Sequence, residues 1–261
     1  MNRLNKEINI INDFQELSVE RVLLLPNSKK NVNLFNIIYN KNEWKNWTDS
    51  SSKSDLPPDF YSSKYKAMMD VMRVDDHTFL DQKGNPINIY NQKESQITSE
   101  LISKIPYIKK VAESGNLYIN TYTNLISDED HNYKFYIETF SRVVKKHINK
   151  IDKYKKNHPR FSVIFFVMDE STPYVKCLTE KRPKFEGDGF IGTPHLWWND
   201  SNMVNVLADS GIDYFVWMTP YKFSPDNPSL ILPEAVILDV KQIQFNKLEK
   251  YNPSDMQSLE F

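Results

Sequence analysis

The carboxylates and imidazoles of this chain are grouped rather than scattered. Two groups are dense in potential ligands, Asp75-Asp76-His77 and Asp128-Glu129-Asp130-His131. Imidazole combined with carboxylate suits zinc, manganese or iron. Neighbouring residues of an extended segment point to opposite faces, so each group alone can lend at most two ligands to one ion. Asp128 to Asp130 also have a plainer role, as first-turn acids favoured by the dipole of a following helix. A third group, Asp169-Glu170, closes the apolar run Val163-Ile-Phe-Phe-Val-Met168. A carboxylate at a strand end can hold magnesium beside a nucleotide, and α/β sites gather at such ends. The matching phosphate loop is missing: the six glycines, at 84, 115, 187, 189, 192 and 211, form neither G-x-x-x-x-G-K-[ST] nor G-x-G-x-x-G. P-loop nucleotide hydrolysis is therefore excluded, and Asp169-Glu170 reads first as an acid pair at a solvent-exposed strand end. The five histidines lack H-E-x-x-H spacing, no G-x-S-x-G elbow is present, and Cys177 has no local motif. His147 falls on the apolar stripe of a helix and reads as a satisfied core residue.

Pro58-Asp59, followed eleven residues later by Asp70-Val71-Met72-Arg73, resembles the PD-(D/E)XK nuclease family over about sixteen residues. The resemblance implies a restriction-endonuclease-like fold in which Asp59 and Asp70 bind Mg²⁺ or Mn²⁺ for attack on a phosphodiester. The sequence departs from the family at the lysine, which is Met72 here, so Arg73 or Lys66 must reach the same spot. Arginine suits phosphate, but with a pKa above about 12 it is a poor proton acceptor. The family also places a helix and then a strand after the second motif strand, and Asn91 to Ile105 followed by Leu117 to Tyr122 can supply them. An acid on an early helix often joins such a site, and Glu20 is the matching residue.

The elements that must position these groups follow from periodicity. Phe14, Leu17, Val22, Leu25, Phe35 and Ile38 predict two helical segments broken near Pro26, and Thr48 to Pro58 is a Ser-rich loop. Met68 to Val74 is a short apolar run of ambiguous type, and Lys83-Gly84-Asn85-Pro86 predicts a hairpin turn. Ser127 and Asp130 resemble a capping box. They open a long amphipathic helix, Asp128 to Asn157, that buries Phe140, Val144 and Ile151. Phe161 to Met168 and Ile212 to Met218 read as adjacent parallel strands in mid-sheet, buried on both faces, with a helix near Asp200 to Asp209 between them and a further strand at Ala235 to Val240. Of Trp197-Trp198, one ring closes the core and the other is partly exposed.

These elements predict an α/β fold with one mixed, largely buried sheet and helices on both faces. An N-terminal helical segment and loop, 1–55, precedes the core, 56–261. The chain has 261 residues, 40% of them hydrophobic, with 33 basic and 34 acidic side chains. That near-neutral balance excludes a charged tail, and 15 Phe, 14 Tyr and five Trp can fill a core. One cysteine permits no internal disulfide and fits a reducing, cytoplasmic setting. No apolar stretch predicts export or a membrane span. Lys145, Lys146, Lys153 and Lys156 make the polar face of the long helix cationic, able to track phosphates or simply to be solvated. Two functions follow: a metal-dependent nucleic-acid phosphodiesterase, or a non-catalytic phage or mobile-element interaction protein on a degenerate nuclease-like scaffold. Frequent Asn, Lys and Ile fit a low-GC genome or its phage for either.

Overall fold

The structure, a computed structural model, describes residues 6–50, 58–89, 96, 100, 103–104, 130–177, 192–222 and 232–259. The candidate segments Asn91 to Ile105 and Leu117 to Tyr122 lie almost wholly outside them, as do Ser127, Asp128, Glu129 and most of the Ser-rich loop.

Seven strands form the main sheet: β1 (Val22–Leu25), β2 (Thr48–Asp49), β3 (Phe60–Ser62), β4 (Ala67–Val74), β7 (Ser162–Asp169), β10 (Tyr214–Met218) and β11 (Ala235–Asp239). Their order across the sheet is β1-β11-β10-β7-β4-β3-β2. The helices are α1 (Lys6–Gln15), α2 (Lys29–Tyr39), α3 (Lys41–Trp44), α4 (Tyr133–Ile148), α5 (Ile151–Asn157) and α6 (Ser201–Val204). Two smaller sheets complete the fold. A hairpin joins β5 (Phe79–Leu80) to β6 (Pro86–Ile87) around Gly84 at φ +78°, the turn expected from Lys83 to Pro86. The other sheet orders β12 (Met256–Ser258), β8 (Tyr174–Cys177) and β9 (Gly192–Pro194).

Strand alternation sorts the core into two layers. Met69, Val71, Ile164, Phe166, Val216 and Ile237 face Ile10, Ile11 and Phe14 of α1 and Leu34, Phe35 and Ile38 of α2. The intervening Met68, Met72, Val163, Phe165, Val167, Phe215 and Trp217 face Tyr136, Phe140 and Val144 of α4 and Ile151 and Tyr154 of α5. Each fully buried side chain of this size contributes roughly 1.5–3 kcal/mol. A strand covered on both sides cannot alternate with polar residues, which is why β7 and β10 are continuous apolar runs. They are parallel neighbours, Phe165 opposite Phe215, near the middle of the sheet as expected, and β11 then runs antiparallel to β10.

Local chemistry moves several boundaries. Val22 and Leu25 belong not to a helix but to β1, which pairs in parallel with β11, so the break between the first two helices is itself a strand. The ambiguous run before Asp75 is β4, paired with β7 along its whole length. The long helix is two: α4 is capped by the Asn132 side chain, which accepts from Lys134 N, and the chain re-enters a helix at Ile151. Asp130 therefore precedes the helix and is not one of its first-turn acids. Trp197 is fully buried and Trp198 only partly so, as expected of the pair.

Candidate functional site

β3 and β4 pair antiparallel with Phe60 opposite Met69, which brings the preceding Asp59 across from Asp70. Asp59 Oδ2 accepts a hydrogen bond from Val71 N at 2.7 Å. Asp70 alternates with Met68 and Met72 on the layer facing α4 and α5, a carboxylate set among apolar side chains and only 4% exposed. Such a group needs partners. Tyr154 OH donates to Asp70 Oδ2 at 3.1 Å, and His147 Nδ1 lies 2.5 Å from the same oxygen. Burial pushes the Asp59 carboxyl up to about 8, helped by the charge and hydrogen bonding of Asp70 and, more weakly, by the charge of Glu7. Asp59 therefore holds a proton at neutral pH when no cation is present.

Around this pair the other expected residues sort clearly. Met72, in the lysine position, is buried in the apolar layer. Arg73 projects away from Asp70 and grips Glu170 through Nε–Oε2 at 2.7 Å and Nη2–Oε1 at 2.5 Å. Lys66 is exposed in the turn before β4, with φ +49°. Neither cation reaches the missing lysine's place, because successive strand residues alternate faces and the turn points to solvent. Glu20 is exposed and accepts from Ser18 Oγ, so the early acid whose charge reaches Asp59 is Glu7 of α1 instead. His147 is the residue the sequence undervalued. Its place on the stripe of Phe140, Val144 and Ile151 announced burial, but not that the layer beneath holds a carboxylate. Lys145, Lys146, Lys153 and Lys156 are exposed on the same two helices.

Asp169 is not solvent-exposed, as its position at a strand end suggested; it is fully buried. Its Oδ2 accepts from Trp217 Nε1 at 2.9 Å, from Tyr136 OH, and from Lys222 Nζ at 3.0 Å. The Lys222 ammonium also donates to Tyr136 OH at 2.9 Å and lies over the Tyr136 and Trp197 rings. Burial pulls the Lys222 ammonium below its usual range against the opposing pull of Asp169. Every donor here is directed at one carboxylate, and removing either charge from such a buried pair costs about 3–5 kcal/mol. This is a structural network, closed to ligands.

Beyond the end of β4 lies a third arrangement. Asp76 is fully buried and saturated: Oδ2 accepts from Thr172 N at 3.2 Å, Thr172 Oγ1 at 3.0 Å and Tyr174 OH at 2.7 Å, and Oδ1 lies 3.0 Å from His131 Nδ1. Burial alone would raise the Asp76 pKa, but His131 and these donors outweigh it and hold the carboxyl below its ordinary value. Asp130 Oδ1 accepts from Thr78 N at 3.0 Å and lies 3.3 Å from His77 Nδ1; Asp130 Oδ2 lies 3.6 Å from His131 Nε2. The two ligand-rich groups of the sequence, some fifty residues apart, thus meet. Among the described residues, His77, Asp130 and His131 form a group whose ligand atoms all lie within 4.8 Å of one another.

No family model, curated protein or solved structure matches this chain.

Proposed function

We propose that this chain is a metal-dependent phosphodiesterase acting on nucleic acid, with Asp59 and Asp70 as ligands for Mg²⁺ or Mn²⁺. The observation that carries the reading is the meeting of these carboxylates across the β3–β4 pair. Oxygen-only donors suit a hard divalent cation, and the raised proton affinity of Asp59, due first to burial and then to the charge of Asp70, is a cost that a bound cation would relieve. The surrounding topology also supports it: after β4 the chain passes through α4 and α5 and returns as β7, parallel to β4. That is a helix-then-strand sequence of the kind the nuclease resemblance implies; the segments first expected to supply it lie almost wholly outside the described residues. When bound, the metal polarises the phosphoryl group and lowers the pKa of water. The chain's own groups do the rest. His147, hydrogen-bonded through Nδ1 to Asp70 Oδ2, orients that carboxylate. Lys145, Lys146, Lys153 and Lys156 offer phosphate contacts that fix the register of a strand without reading its bases.

The test is cleavage of single- and double-stranded DNA and RNA with Mg²⁺ or Mn²⁺, alongside melting with and without metal. Wild type should cleave and be stabilised by metal, and Asp70→Asn should lose both. A second reading is favoured by buried Met72: the same scaffold binding a protein or nucleic-acid partner without turnover. Metal stabilisation without cleavage would select it.

A further inference from the structure

The convergence of His77, Asp130 and His131 points, we infer, to a second and separate metal site, selective for a divalent transition metal of the zinc class. The argument begins at Asp76. Its Oδ2 is occupied by three donors, and its Oδ1 faces His131 Nδ1 at 3.0 Å. A buried carboxylate so fixed acts only as an acceptor, so His131 Nδ1–H donates to it and Nε2 is the ring atom left to face Asp130. This is the outer carboxylate that orients a metal-binding imidazole. Nε2 then faces Asp130 Oδ2 at 3.6 Å. A divalent cation can take the place of a proton between these two atoms.

The spacing fits one. Ligands about 2.0–2.1 Å from a tetrahedral ion are roughly 3.4 Å apart. Asp130 Oδ1 lies 3.3 Å from His77 Nδ1 and Asp130 Oδ2 lies 3.6 Å from His131 Nε2, close to that value, and since one atom from each residue lies within 4.8 Å of the others, an ion would draw the widest pair together. Two imidazoles with one carboxylate favour zinc, manganese or iron over magnesium, unlike the all-oxygen pair at Asp59 and Asp70. Access is open: the side chains of His77 and His131 are 29% and 20% exposed, while Asp130 is 4% exposed and held by Thr78 N. Among the described residues three ligands are supplied, and a tetrahedral ion would take a fourth.

Zn²⁺ and Co²⁺, each added alone to the metal-stripped chain, supply the probes, read by calorimetry and by the visible band of tetrahedral Co²⁺. Wild type should bind about one equivalent at this site. His77→Gln should weaken binding at least about tenfold, and Asp76→Asn, which touches no metal, by about 10–100-fold. Asp70→Asn should leave binding unchanged, which separates this site from the carboxylate pair. Should His77→Gln fail to fold, Asp130→Asn keeps an acceptor for Thr78 N and must show the same loss. The proposal is overturned if wild type binds no Zn²⁺, if His77→Gln and Asp130→Asn bind as tightly as wild type, or if Asp70→Asn alone abolishes binding. The last outcome would place the ion on the carboxylate pair.

Discussion

Asp59 carries the sharpest consequence at the scale of single residues, because its carboxyl, ordinarily near 3.8, is pushed up to about 8 by burial and by Asp70. The folded chain therefore keeps a proton that the unfolded chain releases above about pH 4. Stability from this group is complete below its unfolded pKa and is lost as the pH rises through about 8, by at most about 1.4 kcal/mol per pH unit. Asn at this position keeps an acceptor for Val71 N and never ionises. Urea melts at pH 5, 7 and 9 should thus show wild type losing stability relative to Asp59→Asn as pH rises; parallel curves would mean that neither burial nor Asp70 raises the Asp59 carboxyl. The pair itself was legible, since eleven residues suffice for two short strands and a turn. Its surroundings were not. Which acid, Glu7 or Glu20, faces Asp59 depends on how α1 lies against the sheet, and no local spacing encodes that. The same holds for His131 and Asp76, whose contact spans 55 positions.

At the scale of elements, α4 is the member that joins core and site, for its stripe carries Phe140 into the apolar layer and His147 to Asp70. Phe140 is fully buried, stacked on Trp217 at 4.5 Å and edge-on to Phe215 at 6.1 Å. Phe140→Ala should cost about 3–5 kcal/mol by denaturant unfolding, through lost burial and the cavity left between rings. A loss below about 1 kcal/mol would mean the layer collapses around the gap. Helix and strand periods made this face readable, and β7, β10 and β11 too, because burial on one or both sides writes itself into composition. The run Met68 to Val74 was harder. Its Asp70 interrupts the apolar pattern of a strand buried on both faces, and only His147 and Tyr154, contributed by another element, make that interruption tolerable. The break between α4 and α5 at Asn149 and Lys150 left no comparable mark, since Ile148 and Ile151 keep the apolar stripe continuous across it.

For the molecule as a whole, the N-terminal segment decides whether the sheet can exist without it. Composition and the Pro-rich junction at 57–58 suggested a helical segment ahead of a core beginning at residue 56, yet β1 pairs with β11 at one edge and β2 with β3 at the other. Ile10, Ile11, Phe14, Leu34, Phe35 and Ile38 also cover one whole layer of the sheet. No described helix is long and apolar enough to cross a membrane. A fragment spanning 56–261 would present Met69, Val71, Ile164, Phe166, Val216 and Ile237 to water, a contiguous apolar surface of the kind that drives association. Such a fragment should lack a cooperative melting transition, bind a hydrophobic dye and lose its near-ultraviolet aromatic signal, while the full chain melts in one step. Adding residues 1–55 as a separate peptide should restore part of the aromatic signal, because the peptide brings both the covering helices and the edge strands. A fragment that melts cooperatively by itself, at a midpoint near that of the full chain, would show instead that the layer facing α4 and α5 is a sufficient core.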